Sequence, residues 1–241
     1  MPKLEPIKTV SVRTHVNDFG GFSSAALVMC DDAEKYVIKR ATLGRPLVAE
    51  QIVARLGVRI GAPCMHVALA NVPDELIKAD PKLGRFAGGP AHASKFIDGL
   101  FEAKQIRHQD HPLNRARFAL LYLLYSWTHA ADHQYMYELK PPNLVFSHDH
   151  GLFFVGSEKW SNATLAAGRI PQFDGPLGSL VFTPAELSAG AAELASVSEA
   201  ELAELVSAVP PGWGVNPSEL AEVVTYLSAR RAALLGMLPN A

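Results

Sequence analysis

The first third of the chain alternates short apolar runs with turn-forming residues, and the remainder carries longer stretches with a helical repeat. Residues 25–29 and 36–40 are apolar runs separated by the polar segment Cys30-Asp31-Asp32-Ala33-Glu34-Lys35, a pattern that predicts a β-hairpin. Over 46–56 the residues Leu47, Ile52, Val53 and Leu56 recur with helical spacing, and Gly57, Gly61 and Pro63 mark the exit, so one helix follows the hairpin. Residues 65–72 read as a further strand. Between 73 and 99, Pro81, Gly84, Gly88, Gly89 and Pro90 make a loop-rich connector of the kind that joins two lobes.

Beyond that connector the pattern changes. Residues 114–130 are apolar almost all round, which predicts a helix buried at the centre of a domain. It ends on the polar group Ala130-Ala131-Asp132-His133-Gln134. Residues 144–147 and 152–155 read as two short strands flanking a hairpin turn at His148-Asp149-His150-Gly151. Helices are expected at Thr183-Pro184-Ala185-Glu186, over 198–209 with Ser198 and Glu201 as a capping box, and over 217–235, started by Pro217 or Ser218.

The 241 residues suffice for one large or two small domains. Hydrophobic residues make up 49% and charged residues 19%, against roughly 25% charged in soluble chains, so the chain can bury a sizeable core and is not disordered. A net charge of −2, from 22 Lys and Arg against 24 Asp and Glu, is not the footprint of a dedicated nucleic-acid binder and leaves phosphate-bearing small ligands open. The longest apolar run, 118–125, is far shorter than the roughly 20 residues of a membrane span. Residues 1–10 carry Lys3, Glu5 and Lys8 without the apolar core of a secretory signal, and Cys30 and Cys64 form no Cys-x-x-Cys pair. A cytoplasmic protein without membrane contact is expected.

Candidate chemistry begins with residues 17–24, where Gly20, Gly21, Ser23 and Ser24 would let the backbone approach a phosphate without side-chain obstruction. Lys39 closes the second strand of the hairpin, and Glu50 lies eleven residues on in the helix. Such a pair can neutralise phosphate oxygens while holding the ammonium rigidly, although a solvated surface pair has the same spacing. A small β-rich lobe with a glycine loop, a strand Lys and a helix Glu, then a helical lobe with Asp and Asn, is the outline of a phosphoryl-transfer enzyme.

At this point the chain resembles the bacterial HipA-like kinases, specifically short members without the N-terminal domain of the persistence toxins. The segments that carry the resemblance are GGFSSAALVMCDDAEKYVIKR, VAEQIVARLGVRIGAP, HASKFIDGL, the helix ending in SWTHAADHQ, PNLVF with the following DHG, and LVSAVPPGWG with YLSARRAALL. The resemblance implies an α+β, two-lobed protein-kinase-like fold: a small β-rich N-lobe over 1–90 and a larger, mostly helical C-lobe over 91–241, hinged near Gly88 to Gly99. It implies ATP and Mg²⁺ as ligands and a protein Ser/Thr hydroxyl as acceptor. In its terms Gly20, Gly21, Ser23 and Ser24 cover the phosphates, Lys39 and Glu50 clamp them, Asp132 is the base, and Asn143 and Asp149 hold Mg²⁺.

The sequence departs from the family pattern after Asp132. An Asn is expected about five residues beyond the catalytic Asp, whereas Asn143 is eleven beyond Asp132. A second register is equally legible: YELKPPNLVF resembles the eukaryotic-kinase catalytic loop, with Glu138 at the Asp position, Lys140 at the loop Lys and Asn143 five after Glu138. In that register the metal-binding Asp falls at Gly156, which offers no ligand. The turn composition of SHDHG favours the second register and puts Asp149 at an exposed tip; the joint presence of Asp132, Asn143 and Asp149 favours the first. One predicts a kinase, the other a pseudokinase that binds nucleotide or docks a partner protein.

Other groupings carry less. Six of the nine histidines (His108, His111, His129, His133, His148 and His150) fall between residues 108 and 150, but neither His108-x-x-His111 nor His148-x-His150 matches a stringent zinc motif. Ser126, His129 and Asp132 share one helix face and cannot surround one substrate atom as a nucleophilic triad must. Trp127 and Trp160 are expected as core anchors and Trp213 as a packing plug.

Overall fold

Alternate positions of the first strand, Val10 and Val12, are the ones the fold buries. In the computed structural model of the chain, which describes residues 3–21 and 23–238, they face the interior of a closed barrel. Its elements are β1 (Lys8–Asp18), β2 (Ala26–Cys30) and β3 (Lys35–Lys39), then helix α1 (Arg45–Arg59), β4 (Val67–Asn71), a short α2 (Asp74–Ala79) and β5 (Ala91–Lys95). The strand order is β1-β2-β3-β5-β4, and β1 shuts the barrel by running antiparallel to β2 and parallel to β4. Val10, Val12, Val28, Tyr36 and Ile38 fill the interior against Ala68, Ala70, Ala91 and Ala93. The small residues of β4 and β5 leave the volume that the larger ones occupy, which is how a narrow barrel packs.

The predicted hairpin, helix and following strand are present as β2–β3, α1 and β4. The lobe boundary differs from residue 90: β5 pairs with both β3 and β4 and contributes Ala91 and Ala93 to the barrel core, so the first lobe runs to Lys95 and the crossing is made at 96–99.

Helix α1 belongs to a different core from the barrel. Leu47, Val48, Ile52, Val53 and Leu56 pack with Phe118, Leu121, Leu124, Tyr125 and Trp127 of α3 (Pro112–Thr128). Against α3 pack α5 (Gly175–Gly178), α6 (Pro184–Ser196) and α8 (Pro217–Met237), while α4 (Asn162–Ala167) and α7 (Glu199–Ser207) pack on α8. Ser198 with Glu201 forms the predicted capping box, and α8 starts at Pro217 as expected, with Asn216 as its cap. Trp127, Trp160 and Trp213 are all fully buried. Among the described residues no helix is long and apolar enough to cross a membrane.

Between the lobes lies a small antiparallel sheet of β6 (Leu100–Ala103), β7 (Tyr135–Glu138) and β8 (Val145–Ser147). It corrects the predicted hairpin. The turn joins β7 to β8 through residues 139–144, and 152–155 form no strand, because Phe153 and Phe154 turn into the core at 1% and 0% exposure. The segment after β8 is therefore an entry into the interior and not an exposed tip; His150 is 1% exposed.

Candidate active site

Three elements converge on one ammonium. Lys39, at the end of β3, places Nζ 2.9 and 2.8 Å from Glu50 Oε1 and Oε2 on α1, and 2.8 Å from Asp149 Oδ1 just past β8. Glu50 is 3% exposed, whereas the Asp149 side chain is 40% exposed toward the cleft. Burial opposes the charge on Lys39, but Glu50 and Asp149 outweigh it and lift the ammonium above its usual range. Burial likewise opposes ionisation of Glu50, and Lys39 with His92 overcomes it, holding the carboxyl well below the usual carboxylate range.

The trio opens into a cavity of about 250 Å³ between barrel and sheet. Ala25, Val37 and Met136 supply apolar walls, Ser94 to Ile97 the crossing segment, and Glu102, Gln134 and His148 the polar floor beside Asp149. Of the glycine loop, Gly20 and Ser23 line the cavity. Gly21 and Ser24 form its turn, with the Ser24 N–H donating to the Gly21 carbonyl at 3.3 Å and both residues at positive φ. Phe22 lies outside the described residues.

Asp132 sits in the loop between α3 and β7, its carboxylate accepting from Lys104 Nζ at 2.7 Å and from Gln134 Nε2 at 2.9 Å. Lys104 holds its carboxyl below the ordinary range. Gln134 thus links Asp132 to the cavity that Asp149 lines. Glu138 and Asn143 do not line that cavity: Asn143 Nδ2 donates to the Glu138 carbonyl at 2.9 Å, and Glu138 Oε2 accepts from the Leu144 N–H at 3.4 Å, so both are spent on the β7–β8 turn. Gly156 is elsewhere again. At φ +103 it abuts Trp160 and Thr164, where a Cβ would come within 2.9 Å of Trp160 Cα, so glycine there is a packing requirement.

Behind Asp149, buried polar groups replace an apolar contact. His150 Nε2 lies 2.7 Å from Ser147 Oγ, which is 2.6 Å from Tyr125 OH. Burial depresses the His150 imidazole to about 3. The other clustered histidines act singly: His111 accepts the Leu113 N–H at the start of α3, and His133 Nε2 meets Asp174 at 2.7 Å. Among the described residues no three His, Cys, Asp or Glu side chains group to hold a metal ion.

The model of the HipA-like kinase family matches residues 12–155, from β1 through the segment that bears Asp149. The chain belongs to that family. Its fold is similar to that of the Helicobacter pylori proinflammatory kinase CtkA, at a TM-score of 0.62 and 8% identity over 97% of each chain. It is also similar to the Golgi casein kinase crystallised with Mn and ADP, at a TM-score of 0.50 and 10% identity over 95% of this chain and 73% of that one. Identities so low speak to fold alone, and the shared fold is that of a two-lobed kinase. No curated protein matches the sequence.

In this HipA-like kinase, Glu102, Gln134 and His92 had no assigned role in the sequence, and His148 was weighed there only as a zinc ligand. Gln134 was within reach, lying two residues after Asp132 in the polar run that ends α3. His92 opens the segment HASKFIDGL that carries part of the resemblance, but AHASK has no strand pattern that would assign the histidine a role.

Proposed function

We propose that this HipA-like kinase is an ATP- and Mg²⁺-dependent phosphotransferase whose acceptor is a protein Ser or Thr hydroxyl. The observation that carries the reading is the Lys39 ammonium held between Glu50 and Asp149 at the inner end of an interlobe cavity. Lys39, fixed by Glu50, neutralises nucleotide phosphate oxygens, and the backbone around Gly20 and Ser23 covers them. Asp149 suits a hard cation: Oδ2 accepts no hydrogen bond from the described residues and the side chain faces the cleft. Asp149, with the Gln134 carbonyl on the same floor, would hold Mg²⁺, which when bound neutralises charge on the transferring phosphate. Asp132 accepts the proton of the attacking hydroxyl as its oxygen bonds to the γ-phosphorus and ADP departs. Lys104 offsets the negative charge beside it.

Incubation with γ-labelled ATP, Mg²⁺ and a mixture of candidate protein acceptors tests this. Label transfer that falls at least a hundredfold in Lys39→Ala, Asp132→Ala and Asp149→Ala is expected; transfer indifferent to all three would sink the reading. One observation favours the pseudokinase alternative: Asn143 is bonded into a turn outside the cavity, so the amide ligand that the family pattern expects does not stand beside Asp149. Nucleotide binding without transfer to any acceptor would support that docking module.

A further inference from the structure

His92 stands opposite Lys39 in the β3–β5 register and is fully buried. Its Nε2 is 3.4 Å from Glu50 Oε1 and 3.0 Å from Ser94 Oγ, and its Nδ1 is 2.7 Å from Gln51 Oε1. The imidazole is thus hydrogen-bonded to Gln51 of α1 and Ser94 of β5, with the Glu50 carboxylate at ion-pair distance from the same Nε2. Gln51 Nε2 is buried without a partner. With that amide turned so that its nitrogen donates to Nδ1, the orphan donor is satisfied and Nε2–H faces Glu50 and Ser94. A lone carbonyl left on Gln51 is the cheaper vacancy. Among the described residues, His92 is the one donor within reach of Glu50 besides Lys39.

His92 is in turn backed by the second lobe. The Trp213 ring meets it edge-on with centroids 6.3 Å apart, and the indole Nε1 donates to the Pro90 carbonyl at 2.9 Å. Trp213 belongs to the Pro-Pro-Gly-Trp turn after α7, beyond the residues that the family model matches.

We propose that His92 is a positioning residue that orients the Glu50 carboxylate toward Lys39, and that Trp213 locks it from the C-lobe. The state of the phosphate clamp then depends on the C-terminal segment being seated on the barrel. The proposal rests on the reading of Lys39 and Glu50 as that clamp.

Calorimetric binding of Mg·ADP to the full chain tests it, with folding checked by circular dichroism. His92→Leu fills the volume without a donor and is expected to bind about tenfold more weakly, the scale of one hydrogen bond to a charged group. His92→Gln, whose amide nitrogen reaches the Nε2 position, should recover most of that, and Trp213→Phe should fall between. Equal weakening by Leu and Gln, or none, overturns the proposal. If wild type binds no Mg·ADP, the clamp reading fails instead. The contact is then judged by a double-mutant cycle of His92→Leu and Glu50→Gln in urea unfolding, where coupling supports it and additivity overturns it.

Discussion

Lys39 is held from two sides by carboxylates of different character, one sealed and one open. Removing it strands the Glu50 charge at 3% exposure, so Lys39→Ala should destabilise the fold by about 3–5 kcal/mol in urea unfolding, and adding Glu50→Gln should restore part of the loss. An unchanged midpoint would mean that the pair is not buried. His150 gives a pH signature. Burial lowers its folded pKa from 6.5 to about 3, so the unfolded chain binds the extra proton between those values. Its contribution is present above pH 6.5 and is lost as pH falls, by up to about 1.4 kcal/mol per pH unit. Unfolding of wild type and His150→Phe across pH 5–6.5 should show a shallower slope in the variant; equal slopes would contradict a buried neutral imidazole. The Lys39–Glu50 pair was legible in the sequence because both residues sit in strongly patterned elements. Gly156 drew attention as a missing acid, although its neighbours Trp160 and Thr164 explain it without reference to catalysis.

At the level of elements, α1 is built into the C-lobe. Arg59 Nε donates to Glu201 at 2.6 Å, Arg55 Nη1 to the Leu205 carbonyl at 3.2 Å, and Trp160 Nε1 to the Arg45 carbonyl at 3.1 Å. Its amides over 47–56 should therefore exchange hydrogen together with those of α3 and not with the barrel strands, a distinction that native-state exchange reads directly. Gly57 sets how closely α1 meets the chain before β4: a Cβ there would come 2.3 Å from Cys64 Sγ and 3.0 Å from Leu124 Cδ2. Alanine gains about 1 kcal/mol in helix propensity and loses about 1–3 to overpacking. Gly57→Ala should lower the melting temperature by a few degrees, and a rise would show that the contact relaxes freely. Helices with capping boxes and full apolar periods were readable, as α7 and α8 were. Strand β1 was not, because only Val10 and Val12 of its eleven residues are buried, and β5 was not, because small residues carry little pattern. The tip assigned to SHDHG failed for a related reason: turn composition describes polarity, and here Ser147 and His150 are buried beside Tyr125 while Asp149 turns to Lys39 in the cleft.

For the whole molecule, two cores meet across the cleft, the barrel on one side and α1 with the helical lobe on the other. Lys39 crosses that divide to Glu50 and Asp149, and Trp213 reaches Pro90. Lobe order, the strand lysine and the tail tryptophan could be read from the chain; which of Asp149 and Gly156 entered the cleft depended on where one hairpin turned. The proposed metal site depends on the placement of Asp149 beside Lys39. Titration of ADP into wild type and Asp149→Asn, each with and without Mg²⁺, addresses it directly. Mg²⁺ is expected to strengthen ADP binding to wild type and to add nothing in Asp149→Asn, while metal-free ADP still binds. Enhancement by Mg²⁺ that survives Asp149→Asn would contradict it.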